Sequence, residues 1–227
     1  MASRAELKEQ KKKTSTALIQ AAIQLCAEEG YVSLSIRSLS RKAGIAPTSF
    51  YRHFRDINEL GVAIVEIAET VLDKCMSQAR KKMVVYSVPE NSTMEKFLQS
   101  IECAVRPFVE IFIEFFYQNR DLFYLFFQEQ TGSSEVIRTA VSKKISHMSE
   151  FLSEDLTRIS TKFPDGFNDI PLIAESMITI VSHTCVVMLL NQEPERTSIT
   201  EQLIKKINLF LLGAALCGKI TQRNDHE

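Results

Sequence analysis

The stretch SIRSLSRKAGIAPTSFYRHF, residues 35–54, is the most heavily punctuated part of the chain. Ser35 is a predicted N-cap, because its hydroxyl can accept a free first-turn amide. Ile36, Leu39 and Ala43 put apolar groups on one helical face for about two turns. Gly44 ends that helix with a residue tolerant of positive φ. Pro47 starts the next one, where a helix has no use for the missing N–H. This second short helix is expected over Pro47–Phe54, with Phe50 and Phe54 buried and Thr48, Ser49, Arg52 and His53 pointing outward or sideways. A longer amphipathic helix, Thr14–Glu29, precedes the pair, with Leu18, Ala21, Ala22 and Leu25 on one face and Gly30 behind it. Short helices joined by a Gly-containing turn make a helix-turn-helix.

Beyond residue 56 the pattern is helical throughout. A long helix is expected over Ile57–Met83, followed by a linker, VVYSVPENST. Helices are expected over Met94–Gln118, Asp121–Gln130 and Ser134–Ser160. The segment TKFPDGFNDIP reads as a loop, and two apolar helices close the chain at Leu172–Asn191 and Ser198–Ile220. Seven Gly and six Pro in 227 residues are too few for a sandwich of short strands and turns. The expected class is all-α: a three-helix head joined by a long helix to a helical body.

Charge divides the chain as the motif does. Residues 1–55 carry ten Lys or Arg against four Glu, a balance of +6; the remainder carries 17 basic and 24 acidic residues, a balance of −7. A basic head on an acidic body points the head alone at a polyanion. Cys26, Cys75, Cys103, Cys185 and Cys217 are odd in number and unpaired in spacing, which suits free thiols in a reducing compartment. His53, His147, His183 and His226 form no metal-site spacing, so no metal and no cofactor are expected. No phosphate-binding loop or nucleophile motif nominates a catalytic residue. The basic N-terminus has no apolar run behind it, and Met177–Leu190 is too short to span a bilayer. A cytoplasmic location without membrane insertion is expected.

The ordered set Ser35, Arg37, Ala43-Gly44-Ile45, Phe50-Tyr51, His53-Phe54, Asp56, Glu59 and Leu60 resembles the TetR family of one-component repressors. The resemblance covers about 45 residues. It implies a DNA-binding domain at 1–56 and an effector-binding and dimerisation domain at 57–227. Groove and backbone roles fall on the same positions by residue chemistry. Thr48 and Ser49 can bond base edges, the Pro47 ring can meet a thymine methyl, and Arg52 can reach guanine or phosphate. Tyr51, His53 and Arg37 resemble family positions that contact the duplex. Lys12 and Lys13 (with Lys11) would sit beside phosphates in a salt-dependent, sequence-indifferent way. Against these stand plainer roles: Tyr51 as head packing, Arg52 as solvated charge, the lysine run as a soluble helix end.

Within the family, GIAPTSFYRHFRDINELG and LFFQEQTGSS are similar to repressors of unsaturated fatty acid biosynthesis. That resemblance implies a palindromic double-stranded operator, a homodimer, and a long-chain acyl-CoA or acyl carrier protein as effector. The candidate pocket is Arg106, Phe108, Phe112, Phe116, Phe123 and Phe127, drawn from a Phe-rich stretch in which some rings must build core. The candidate dimer stripes are Met177, Ile180, Val181, Thr184 and Met188 on one helix and Ile204, Ile207, Phe210, Leu211 and Ala214 on the other. Their competitor is burial inside one subunit. Other readings of the chain are a drug-responsive efflux repressor, an acyl-thioester-binding helical enzyme, and a helical adaptor with a basic head.

Overall fold

The computed structural model describes residues 3–84, 86–87, 89, 92–163, 166–190 and 196–224. The expected linkers at 84–93 and 161–171 lie partly outside the described residues. Among the described residues every regular element is helical: α1 (Arg4–Glu29), a 3-10 turn (Tyr31–Ser33), α2 (Ile36–Ala43), α3 (Pro47–Phe50), α4 (Ile57–Lys82), α5 (Met94–Gln118), α6 (Arg120–Gln128), α7 (Glu135–Ser160), α8 (Ile170–Leu190) and α9 (Arg196–Asn224). The all-α expectation holds.

The chain packs as two units, Met1–Val71 with Asn119–Lys143, and Leu72–Gln118 with Lys144–Glu227. The expected split after residue 56 differs from this packing because α6 lies against α1. Leu122, Phe123, Leu125, Phe126 and Phe127 are all buried on α6, so its apolar face is core of the first unit.

Local chemistry explains the first unit. α1 begins ten residues earlier than the apolar period indicates, since Ser3 and Glu6 close a capping box. Its first turns bury nothing, and burial begins at Leu18. Ser35 caps α2 as expected, accepting from the Ser38 amide at 3.1 Å. Gly44 takes a left-handed φ of 68° there, and the Ile45 amide closes on the Ser40 carbonyl at 2.9 Å. α3 is shorter than expected. Its α-helical part ends at Phe50, and bonds from the His53 and Phe54 amides to the Phe50 carbonyl, at 2.8 and 3.0 Å, continue the coil as turns. Phe50 and Phe54 are buried beneath it. The Tyr31 hydroxyl donates to the Ile57 carbonyl at 3.0 Å and so ties the 3-10 turn to the start of α4. Gly61 allows a close approach there: a Cβ would stand 2.4 Å from Ile137 Cδ1 and 2.7 Å from the Tyr31 hydroxyl, so these side chains would have to shift.

In the second unit α9 packs against α5 and α8. Arg106 on α5 reaches Glu201 on α9 at 2.6 Å and Glu102 on its own helix at 2.7 Å. Arg196 pairs with Glu114 and lies over the Tyr117 ring. Helix α8 departs from the sequence reading: Ile170–Met188 is long and apolar enough to cross a bilayer by length and composition, and only 28% of that stretch is buried.

Candidate nucleic-acid interface and apolar cavity

The first unit presents the outer side of α3 and the turn behind it. Pro47, Thr48, Tyr51 and Arg52 are exposed, while Ser49 and His53 are half-buried. Two buried phenylalanines hold this display. Tyr51 rests its ring on the edge of Phe50, with centroids 5.7 Å apart, yet remains 62% exposed. It both packs and offers its hydroxyl. Arg37 is exposed on α2, and Lys12 and Lys13 are exposed on the unburied half of α1.

His53 carries the clearest electrostatic mark. Burial first, and then the charges of Lys11 and Arg52, push its pKa below the ordinary histidine range. Its Nδ1 is buried with no hydrogen-bond partner among the described residues. Burial and positive neighbours both disfavour the charged imidazole, and a nearby anion would favour it. Lys11, expected beside phosphates as part of the lysine run, is exposed on α1 with Lys12 and Lys13. Lys42 on α2 is paired with Glu28 at 2.9 Å.

The second unit contains an apolar cavity between α4, α5, α7, α8 and α9. Met76, Ala79, Met83, Ile101, Ala104, Val105, Phe108, Leu152, Leu156, Ile159, Phe167, Met177 and Leu211 line it, with Arg80 and Asp155 at one side. Its free space is about 40 Å³, room for a water-sized body. Three of the lining groups are methionines, whose unbranched side chains rearrange readily. Beside it, sharing Arg80, Met83, Asp155 and Ile159, an open depression of about 290 Å³ adds Arg158 and Lys162.

The six residues of the expected pocket do not come together at this cavity. Of the six, Phe108 lines it. Arg106 is held by Glu102 and Glu201, and those carboxylates push its pKa upward through their hydrogen bonds. Phe112 and Phe116 are buried in α5 away from the lining, and Phe123 and Phe127 are core of the other unit. The cavity's polar residues escaped the sequence because Arg80 and Asp155 are 75 positions apart. No local spacing joins them.

Most residues of the expected dimer stripes face inward within the one chain. Met177, Val181, Thr184, Met188, Ile204, Ile207 and Leu211 are buried within the chain's own second unit; Ile180, Phe210 and Ala214 are half-buried. Helices this apolar have two greasy faces, and the period alone does not say which faces inward. The outward stripe carries Leu172, Thr179, His183 and Val186 on α8 and Leu209, Gly213 and Leu216 on α9.

A capped two-turn helix, a left-handed glycine and a proline-started turn with exposed Thr, Tyr and Arg define the first unit as a helix-turn-helix domain of the DNA-binding kind. Residues 18–64 match the family described as bacterial regulatory proteins, tetR family. The fold as a whole is shared with solved TetR-type structures. A TetR-family transcriptional regulator from Syntrophomonas wolfei is 18% identical with a TM-score of 0.67, over 88% of this chain and 95% of that one. The fatty acid degradation regulator FadR from Bacillus halodurans is 19% identical with a TM-score of 0.65, again over 88% and 95%. FadR from Bacillus subtilis, solved in complex with stearoyl-CoA, is 15% identical with a TM-score of 0.65, over 85% and 96%. The family match is confined to the head, residues 18–64, and the likeness over the rest of the chain is one of fold.

Proposed function

We propose that this protein is a cytoplasmic, dimeric repressor of genes for fatty acid synthesis, unsaturated acyl synthesis in particular. It binds a palindromic operator through Pro47–His53, Arg37 and Lys11–Lys13, and it responds to a long-chain acyl thioester. The exposed outer side of α3 over buried Phe50 and Phe54 is the observation that carries the DNA-binding part. The acyl part is supported by the apolar cavity of the second unit and by the stearoyl-CoA complex of a protein of the same fold. A cationic drug is the poorer occupant, since Arg80, Arg158 and Lys162 outnumber Asp155 at the cavity's open side.

Dimerisation is assigned to the outward stripe of α8 and α9. A helix as apolar as α8, with 28% of its hydrophobic stretch buried, leaves a face that a second copy can cover. A Cβ on Gly213 would meet nothing within 4 Å among the described residues, so the backbone there is open to close approach. Two-fold pairing also suits reading of an inverted repeat.

Gel shifts on genomic operator fragments test the DNA reading. Tyr51→Ala and Arg37→Ala should each weaken binding about tenfold, or ~1.4 kcal/mol, with unchanged helical content; undiminished binding overturns the docking. Saturated and unsaturated acyl-CoA should alter operator affinity differently. If neither does, the acyl reading fails and the DNA reading stands. In sedimentation, Leu209→Glu with Val186→Glu should give monomers from a wild-type dimer, and a wild-type monomer at micromolar concentration ends the palindrome argument.

A further inference from the structure

The polar side of the cavity is built rather than incidental. Asp155 is a carboxylate with 4% of its side chain exposed, at the edge of an otherwise apolar chamber. Arg80 donates to it through Nε at 2.6 Å, and Arg158 pairs with its other oxygen. Arg80 also lies over the Phe151 ring, 5.4 Å from its centroid, which fixes the guanidinium from a second direction. Lys162 stands one turn beyond Arg158 and lines the same open depression. Two arginines thus hold one carboxylate where the apolar chamber meets an open depression that Lys162 also lines.

Such a place already stabilises one carboxylate, and it has donors to spare. An arginine carries five N–H donors; Arg80 gives one of its own to Asp155. Arg158 is 70% exposed and Lys162 is exposed, so both can meet a group arriving from water. The depression shares Arg80, Met83, Asp155 and Ile159 with the chamber. A ligand with its tail among the methionines therefore has its head at these cations.

We propose that Arg80, Arg158 and Lys162 form an anion-binding mouth that selects long-chain amphipaths with an anionic head, and that Asp155 occupies the mouth as an internal anion when no ligand is present. The shared chemistry is a carboxylate or phosphate oxygen held by guanidinium and ammonium groups. The mouth rests on the acyl reading proposed for this cavity and adds the recognition of the head. It places the specificity on α4 and α7, away from Arg106.

The test compares anionic and neutral ligands with the same length of chain, by titration calorimetry on the intact wild-type protein. Hexadecanoate is set against hexadecanol, and hexadecanoyl-CoA against the neutral S-hexadecanoyl pantetheine. At least one anionic member should bind about tenfold or more tightly than its neutral twin, the gain expected of a hydrogen-bonded charge. The pair with the larger gap tells whether the head is a chain-end carboxylate or the phosphates of the carrier. Arg158→Gln with Lys162→Gln, both on the surface and compatible with folding, should shrink that gap to within about threefold and leave the neutral ligands unchanged. Equal binding of charged and neutral twins by wild type overturns the mouth and leaves the acyl reading intact. Binding of none of the four overturns both. A gap that survives the double substitution overturns the assignment to these residues.

Discussion

Among the described residues, each unit of this protein buries one carboxylate to about the same depth, and the two are held in opposite ways. Glu129, at the end of α6 in the first unit, is 3% exposed, and so is Asp155 on α7 in the second. Asp155 is clasped by Arg80 and Arg158. The Oε2 of Glu129 is buried with no hydrogen-bond partner among the described residues, and burial pushes its pKa up against a weaker opposing pull from Arg138. Arg138 itself is committed to the Gly132 carbonyl at 2.7 Å. Around Glu129 the other titratable groups are pushed the same way. Cys26 rises to about 12, through burial and then the charge of Glu129, and Tyr31 is raised by burial, Cys26, Glu129 and Asp56. Burial alone does not make an anion site. Burial with cations at contact distance does, which is why the second unit has a candidate ligand mouth and the first has a carboxyl leaning toward its neutral form.

The contrast breaks most visibly at Asp155. Asp155→Ala leaves Arg80 beside an apolar chamber without its partner, and the loss should be about 3 kcal/mol, the low end for a broken buried pair because Arg80 is partly solvated. A lowered urea midpoint with an unchanged slope is the expected result. Gly132→Ala comes next. Its Cβ would lie 1.9 Å from Glu129 Oε2 and 2.5 Å from Cδ, so the carboxyl must move; about 1–3 kcal/mol is expected for overpacking at such a place. Wild-type-like stability there would mean that Glu129 swings out freely and is not confined.

Glu129→Gln sharpens the same comparison with a smaller effect. A carboxyl whose folded pKa lies above its unfolded value favours the folded state most at pH below the ordinary glutamate range. That contribution fades as pH rises from there through the raised value. Wild type should therefore lose stability across that window, and the Gln variant should lose less and be the more stable at neutral pH, on the order of 1 kcal/mol. Parallel pH profiles for the two proteins would show that Glu129 is charged in the fold. The smallest effect belongs to the surface of the first unit. Lys12→Gln with Lys13→Gln should make operator binding less salt-dependent, by about one unit of slope for each phosphate no longer neutralised, with no change in unfolding midpoint. An unaltered slope would return these lysines to a solvated helix end.

Much of the first unit is legible in the order of its residues. Ser35, Gly44 and Pro47 act through their own backbone preferences within a few residues, so cap, stop and restart are local facts. Phe50 and Phe54 follow because a helical turn this short has one inner side. The start of α1 is not legible from apolar period: a capping box at Ser3 extends the helix through polar residues that bury nothing. In the second unit the helices can be read from the pattern, but not their facing. On α8 and α9 both sides are apolar, and the stripe from Met177 to Met188 turns inward. The Phe108–Phe127 stretch spreads one pocket expectation over two packing units. Arg106 marks the limit: Glu102 is visible four residues away, whereas Glu201 comes from 95 positions further on.

Taken alone, the order of residues determined that the chain is helical, where α2 is capped and stopped and α3 begins, which short turn carries the Thr-Ser-Tyr-Arg-His edge, and where positive charge collects. These depend on contacts within a turn or two. The tertiary structure alone decided which apolar face is core, which arginine is occupied and which stands at a chamber. Those outcomes depend on groups brought together from distant segments, where burial sets the strength of every charge.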